Sequence, residues 1–126
     1  MRLVLDSGAL IALEKNDRPM WRKLQAPPLA GSVPITHGGI VGQVWRGGGS
    51  RQARLAMALA AIDVRPLDAV LGRSAGALLH RAKRSDVIDA ALVLLAEDGD
   101  HVLTSDVDDI VPLAEASSRH VEVIAV

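Results

Sequence analysis

Asp6 ends the apolar run Leu3-Val4-Leu5, Asp86 and Asp89 open the run Ala90 to Ala96, and Asp106, Asp108 and Asp109 follow Val102-Leu103-Thr104-Ser105. At the carboxyl end of a buried strand in an open α/β sheet, a carboxylate points into the crevice where such folds bind ligands. Three carboxylates gathered in one crevice repel one another unless a cation sits between them. Oxygen ligands of this kind suit Mg²⁺ or Mn²⁺, and the chemistry they suggest is that of phosphates. Each cluster alone also has a structural explanation, because Asp favours the first turn of a helix. Asp86 follows Ser85, and Ser105, Val107 and Asp108 resemble part of a capping box. Asp89 weighs towards a site. It lies at i+3 from Asp86, on the same helix face, and a second carboxylate in an apolar helix is costly without compensation.

The elements that must position these acids follow from patterning. Residues 2–5 predict a short buried strand, and Ala9 to Lys15 a first helix with Ser7 as N-cap. Asn16-Asp17-Arg18-Pro19 breaks the chain, Pro19 starts a second helix through Leu24, and Pro27-Pro28 stops it. Residues 33–36 predict a second strand, with Pro34 placing it at a sheet edge or marking its start. Ile40, Val41, Val44 and Trp45 recur at helical spacing, which predicts a helix over 38–46. Gly47-Gly48-Gly49 predicts a flexible joint, 51–61 a helix, and 62–67 a short extended crossing. Asp68 caps a long helix to Lys83. Ser85 caps the next, over 86–97, which is apolar nearly all round and therefore central. Strand 101–104, helix 107–117 and strand 121–126 close the chain. Strands alternating with helices predict a three-layer α/β/α domain around a mostly parallel sheet, with right-handed crossovers.

Composition narrows the class. A chain of 126 residues with 49% hydrophobic content and a net charge of −1 is one globular domain. No apolar run reaches the ~18 residues of a membrane helix, and the charged residues within Met1 to Lys15 argue against a signal peptide. The absence of cysteine excludes a disulfide framework and a thiolate metal site, and agrees with a cytoplasmic address. Phe and Tyr are absent and Trp21 and Trp45 are the only aromatic rings, so Leu, Val, Ile and Ala build the core. A grip on nucleic acid by base stacking needs several exposed rings, of which this chain has almost none to offer, and balanced charge gives no global basic field. His37, His80, His101 and His120 show no ligand spacing and are expected at the surface.

With these residues in view, the sequence resembles the PIN-domain family, and within it the VapC-type toxins of bacterial toxin–antitoxin pairs. Asp6-Ser7-Gly8-Ala9-Leu10-Ile11-Ala12 is similar to the family's opening strand and loop. Asp86-Val87-Ile88-Asp89-Ala90-Ala91 is similar to its central-helix motif, and Leu103-Thr104-Ser105-Asp106-Val107-Asp108-Asp109-Ile110 to its closing Thr-x-Asp motif. The likeness runs in order over essentially the whole chain. It implies an endoribonuclease that uses Mg²⁺ or Mn²⁺ and is silenced by a small antitoxin, and it implies a homodimer. Asp6, Asp86 and Asp106 take the positions of three family acids that bind metal and carry catalysis. The fourth family acid is a Glu on the helix after the second strand, where this chain has Gln43. Asp89 and Asp109 are the candidate compensators and further metal ligands.

A cation held by Asp6, Asp86 and Asp106 would activate a water for in-line attack on the phosphodiester, with no nucleophilic side chain. Ser7 and Ser105 border the acids, and with Gln43 they are candidates to support the carboxylates or bound waters. Arg46 and Arg84 are the foremost candidates to hold RNA phosphates, although basic residues near helix carboxyl ends also serve the dipole. Surplus apolar area on residues 9–13 and 40–45 and on Trp21 to Leu24 is expected to serve an interface. Two other classes remain open. One is a non-catalytic PIN-like binding module, suggested by Gln43. The other is an unrelated doubly wound phosphotransfer or haloacid-type enzyme, which wants a second Asp where Gly8 stands and a late catalytic lysine that this chain lacks.

Overall fold

The computed structural model describes residues 1–26 and 32–126; the stop assigned to Pro27-Pro28 lies outside them. Five short parallel strands form one sheet: β1 (Leu3–Leu5), β2 (Ile35–His37), β3 (Asp63–Arg65), β4 (His101–Thr104) and β5 (Glu122–Ala125). Their order is β3-β2-β1-β4-β5. The helices are α1 (Ser7–Glu14), α2 (Arg18–Gln25), α3 (Gly38–Val44), α4 (Ala53–Ala60), α5 (Ala69–Ala82), α6 (Val87–Leu95) and α7 (Val107–Ala116). One group, in which α1 touches α2, α3 and α4, and a second, α5 with α6 and α7, form the layers flanking the sheet. The expected three-layer architecture is therefore present.

From β1 the chain moves outward through β2 to β3, then returns past β1 to β4 and β5. The direction of winding reverses between β1 and β4. In open α/β sheets, loops diverge at such a switch point and leave a crevice at the carboxyl ends of the strands. Asp6 and Asp106 follow the two strands on either side of it.

The core consists of Leu, Ile, Val and Ala with Met20, as the lack of aromatics requires. Within α6, Ala90, Ala91, Leu92 and Val93 are all buried, which confirms its central position. Its carboxyl end is closed by two arginines. Arg2 donates to the Leu95 carbonyl at 2.8 Å, and Arg119 donates to the carbonyls of Leu94 and Ala96. Cations bonded to the last carbonyls satisfy them and complement the helix dipole. The amino end of the same helix is left to the acids.

Several local expectations change. The crossing expected over 62–67 contains the edge strand β3, paired in parallel with β2. Pro34 precedes β2, an interior strand, so its missing N–H marks a strand start and not an edge. The apolar surplus of α1 and α3 is largely absorbed within the monomer. Leu10, Leu13, Ile40 and Val44 are buried, together with Leu55 and Ala58 of α4, which packs on α1. Trp21 is half-buried and donates its indole N–H to the Leu13 carbonyl at 3.0 Å. Ile11 and Trp45 remain the exposed part of that expected interface.

Candidate metal centre

Asp6 is buried, 1% exposed, and carries both its local and its long-range duties through its carboxylate. Oδ1 accepts the Ser7 amide at 2.7 Å, and Oδ2 accepts the Thr104 hydroxyl at 2.6 Å. Asp6, and not Ser7, is thus the N-cap of α1. Its extended backbone and shorter reach to the first amide place the carboxylate there, while Ser7 is already helical. An ionised carboxylate offers about four acceptor sites, so both oxygens retain capacity for a further partner.

Thr104 links two of the acids. Its hydroxyl donates to Asp6 and accepts the Asp106 amide at 2.9 Å. The strand that ends in Asp6 and the loop that starts α7 are thereby held in one register. Sequence reasoning weighed Ser7 and Ser105 as supports and passed over Thr104, although it stands in the Thr-x-Asp motif. Ser105 is exposed and acts through shape instead. A Cβ on Gly8 would fall 2.5 Å from Ser105 Oγ and 3.0 Å from its backbone nitrogen, so only glycine lets α1 approach the β4–α7 loop this closely.

Asp86, and not Ser85, caps α6. Its Oδ1 accepts the amides of Ile88 at 2.9 Å and Asp89 at 3.1 Å, a reach to the second and third helical amides that defines an N-cap. Ser85 lies one residue outside and lines the adjacent cavity. That cavity, about 220 Å³, is walled by Arg84, Ser85, Asp86, Asp89, Asp109 and Leu113. A larger cavity of about 520 Å³ lies beside Leu3, Leu24 and His101 and has no carboxylate in its wall; it offers no chemistry comparable to the acidic one.

Electrostatics gathers the acids more widely than any one wall. The Asp89 carboxyl is pushed up from 3.8 to about 7, first by burial and then by the charges of Asp86, Asp6, Asp109 and Asp106. Five aspartates from three separate segments therefore share one field. Among the described residues, however, no three Asp, Glu or His side chains already stand at the spacing of a metal's ligands. The donor set is nonetheless chemically suited to a hard divalent cation: carboxylate oxygens only, with repulsion among them that such an ion would relieve. Asp86 and Asp106 are the exposed members of this set, and Asp6 is its buried one.

Other expected site residues fall elsewhere. Arg46 is not brought to the acids. Its guanidinium folds back on α3, donating to the carbonyls of Gly42 at 3.1 Å, Gln43 at 3.0 Å and Trp45 at 2.7 Å, the role of a helix-end cation. Gln43 is exposed on α3 and is not part of the acidic cavity wall. Arg84 does line that cavity and pairs with Asp109 at 3.7 Å, so Asp109 is partly committed to a cation of its own chain. This pair is exposed and correspondingly weak. His37 departs furthest from expectation: it is fully buried, held at both ring nitrogens, and its pKa is lowered by burial against the opposing effects of the Ile88 carbonyl and Asp6. Its burial follows from the interior place of β2 in the sheet, which no spacing in the sequence carries.

No family model and no curated protein matches this sequence. Among solved structures the chain is similar to one in the crystal structure of VapBC2 from Rickettsia felis bound to a DNA fragment from their promoter. The TM-score is 0.68, with 98% of each chain covered and 11% identity. Agreement over nearly the whole length at so little identity is agreement of fold, carried by strand order and helix placement. The five-stranded parallel sheet, its winding reversal and its flanking helices thus give this chain a three-layer α/β/α, PIN-like fold.

Proposed function

We propose that this chain is a metal-dependent endoribonuclease acting as the toxin of a toxin–antitoxin pair, with Mg²⁺ or Mn²⁺ held by Asp6, Asp86 and Asp106. The observation that supports it best is the common field of five aspartates at the switch point, strong enough to push Asp89 up to about 7. A divalent ion held by these carboxylates would supply a water of lowered pKa and offset charge on the phosphate. Asp6 is oriented by Ser7 N–H and Thr104 O–H. Arg84, which lines the cavity and pairs with Asp109, would exchange that partner for a phosphate oxygen of the RNA. With few rings to stack bases, recognition of RNA rests on such backbone contacts. The test is a Mn²⁺ titration followed by thermal shift, with cleavage of a mixed RNA pool in parallel. Metal-induced stabilisation with cleavage supports the reading, and neither effect at millimolar Mn²⁺ defeats it.

A second reading, a PIN-like binding module without catalysis, draws on Gln43 and on the unassembled ligand spacing. Gln43→Glu discriminates between them. If the site lacks one negative charge, the variant binds Mn²⁺ about tenfold more tightly, since each added carboxylate strengthens a hard-cation site. Calorimetric affinity equal to the parent's would place Gln43 outside the metal's surroundings, as its exposure on α3 already favours.

The partners proposed are RNA, a small antitoxin and a second copy of the chain. An antitoxin presenting Arg or Lys to these acids would replace a mobile cation with a fixed one. Light scattering is expected to show a dimer. Inhibition by a copurified partner should weaken when its basic residue is changed to Ala. A monomer at micromolar concentration, with no partner recovered from the native host, would count against the toxin role. Among the described residues, no helix is long and apolar enough to cross a membrane.

A further inference from the structure

The acids come from distant parts of the chain, and two polar ties fix their mutual placement. Thr104 supplies the first, joining Asp6 to Asp106. The second starts at Thr36, whose hydroxyl donates to the Leu5 carbonyl at 2.7 Å, one residue before Asp6. The next residue, His37, reaches α6: Nε2 lies 2.9 Å from the Ile88 carbonyl, in the turn between Asp86 and Asp89. Nδ1 accepts the Gly39 amide at 3.0 Å, so the ring proton belongs on Nε2, which donates to Ile88. Apolar contact reinforces the tie, since a Cβ on Gly39 would come 2.6 Å from Ile88 Cδ1 and 2.9 Å from His37 Cε1. The ring is fully buried, which excludes competing water.

We propose that His37 is a positioning residue that braces the first turn of α6 against the end of β2 and so sets where Asp86 and Asp89 stand relative to Asp6. The inference rests on the metal-site reading for its functional consequence, but the brace itself is testable without metal. A purely structural alternative exists, because His37 is also the N-cap of α3 through Nδ1. The two roles use different ring nitrogens, and different substitutions separate them. His37→Asn retains a short acceptor for the Gly39 amide and loses the reach to Ile88. His37→Gln retains a donor near the Nε2 position and weakens the cap.

The experiment measures amide exchange in metal-free protein at Ile88, Asp89 and Ala90, all bonded to Asp86, with Mn²⁺ affinity by calorimetry alongside. With His37→Asn, these amides should exchange several-fold faster relative to the core amide of Leu92, and Mn²⁺ should bind about tenfold more weakly, as when a residue supporting metal ligands is lost. His37→Gln should keep both close to the parent. The proposal is overturned if His37→Asn exchanges like the parent, or if both variants are impaired alike. If the parent binds no Mn²⁺, the metal reading fails separately, while the exchange comparison still decides the brace.

Discussion

If the proposed metal site is right, Asp86→Asn should abolish Mn²⁺-dependent RNA cleavage while leaving the fold intact, and Asp6→Asn and Asp106→Asn should do the same. Removing one unit charge about 4 Å from another, at an effective dielectric near 20, is worth roughly 4 kcal/mol, and a divalent ion doubles the product, so the loss in affinity should be at least on the order of a thousandfold. Asp86 is the cleanest position, since Asn caps a helix as well as Asp and the amides of Ile88 and Asp89 keep an acceptor. Exposed Asp106 makes no side-chain cap bond and should also be neutral for folding. In Asp6→Asn the side-chain oxygen stays with the Ser7 amide and the NH2 meets Thr104 Oγ, which loses its acceptor, so this variant carries a folding cost that the other two lack. Loss of repulsion among the acids favours each metal-free variant. Cleavage rates within a fewfold of the parent in all three would sink the site assignment.

The second large effect is on stability against pH. In the fold Asp89 titrates at about 7, against 3.8 ordinarily. Between these values the folded chain holds a proton that the unfolded chain has released. Metal-free stability therefore falls as pH rises through this window, and the loss is complete above about 7. Asp89→Asn removes the loss. After allowance for solvent screening, the variant should exceed the parent by about 1–2 kcal/mol at pH 8 and match it near pH 4. Urea unfolding in EDTA at the two pH values reads the difference. Parallel stability curves for parent and variant would show that the acids do not share a field. Saturating Mn²⁺ should narrow the gap at pH 8, because the ion supplies the compensation that the substitution otherwise provides.

Local features of this protein were legible in its sequence because local physics makes them. Apolar periodicity located every helix and strand flanking the acids. Asp6, Asp86 and Asp106 stood at strand and helix junctions whatever the sheet order, and the parallel architecture followed from alternation. The identity of two caps was misjudged by one residue, Asp6 for Ser7 and Asp86 for Ser85. Both types cap well, and only backbone conformation separates them.

Tertiary structure decided what depends on contacts between distant segments. Strand order brought β1 beside β4, and so Asp6 to Thr104 across 98 positions. The interior place of β2 buried His37 and aimed it at α6, which no ligand spacing could reveal. Approach of α1 to the β4–α7 loop made Gly8 indispensable. Arg46 turned back to its own helix carbonyls, whereas Arg84 met Asp109. Sequence supplies the charges and their local backbone. Which charges become neighbours, and how strongly they perturb one another, is set by the packing of the sheet.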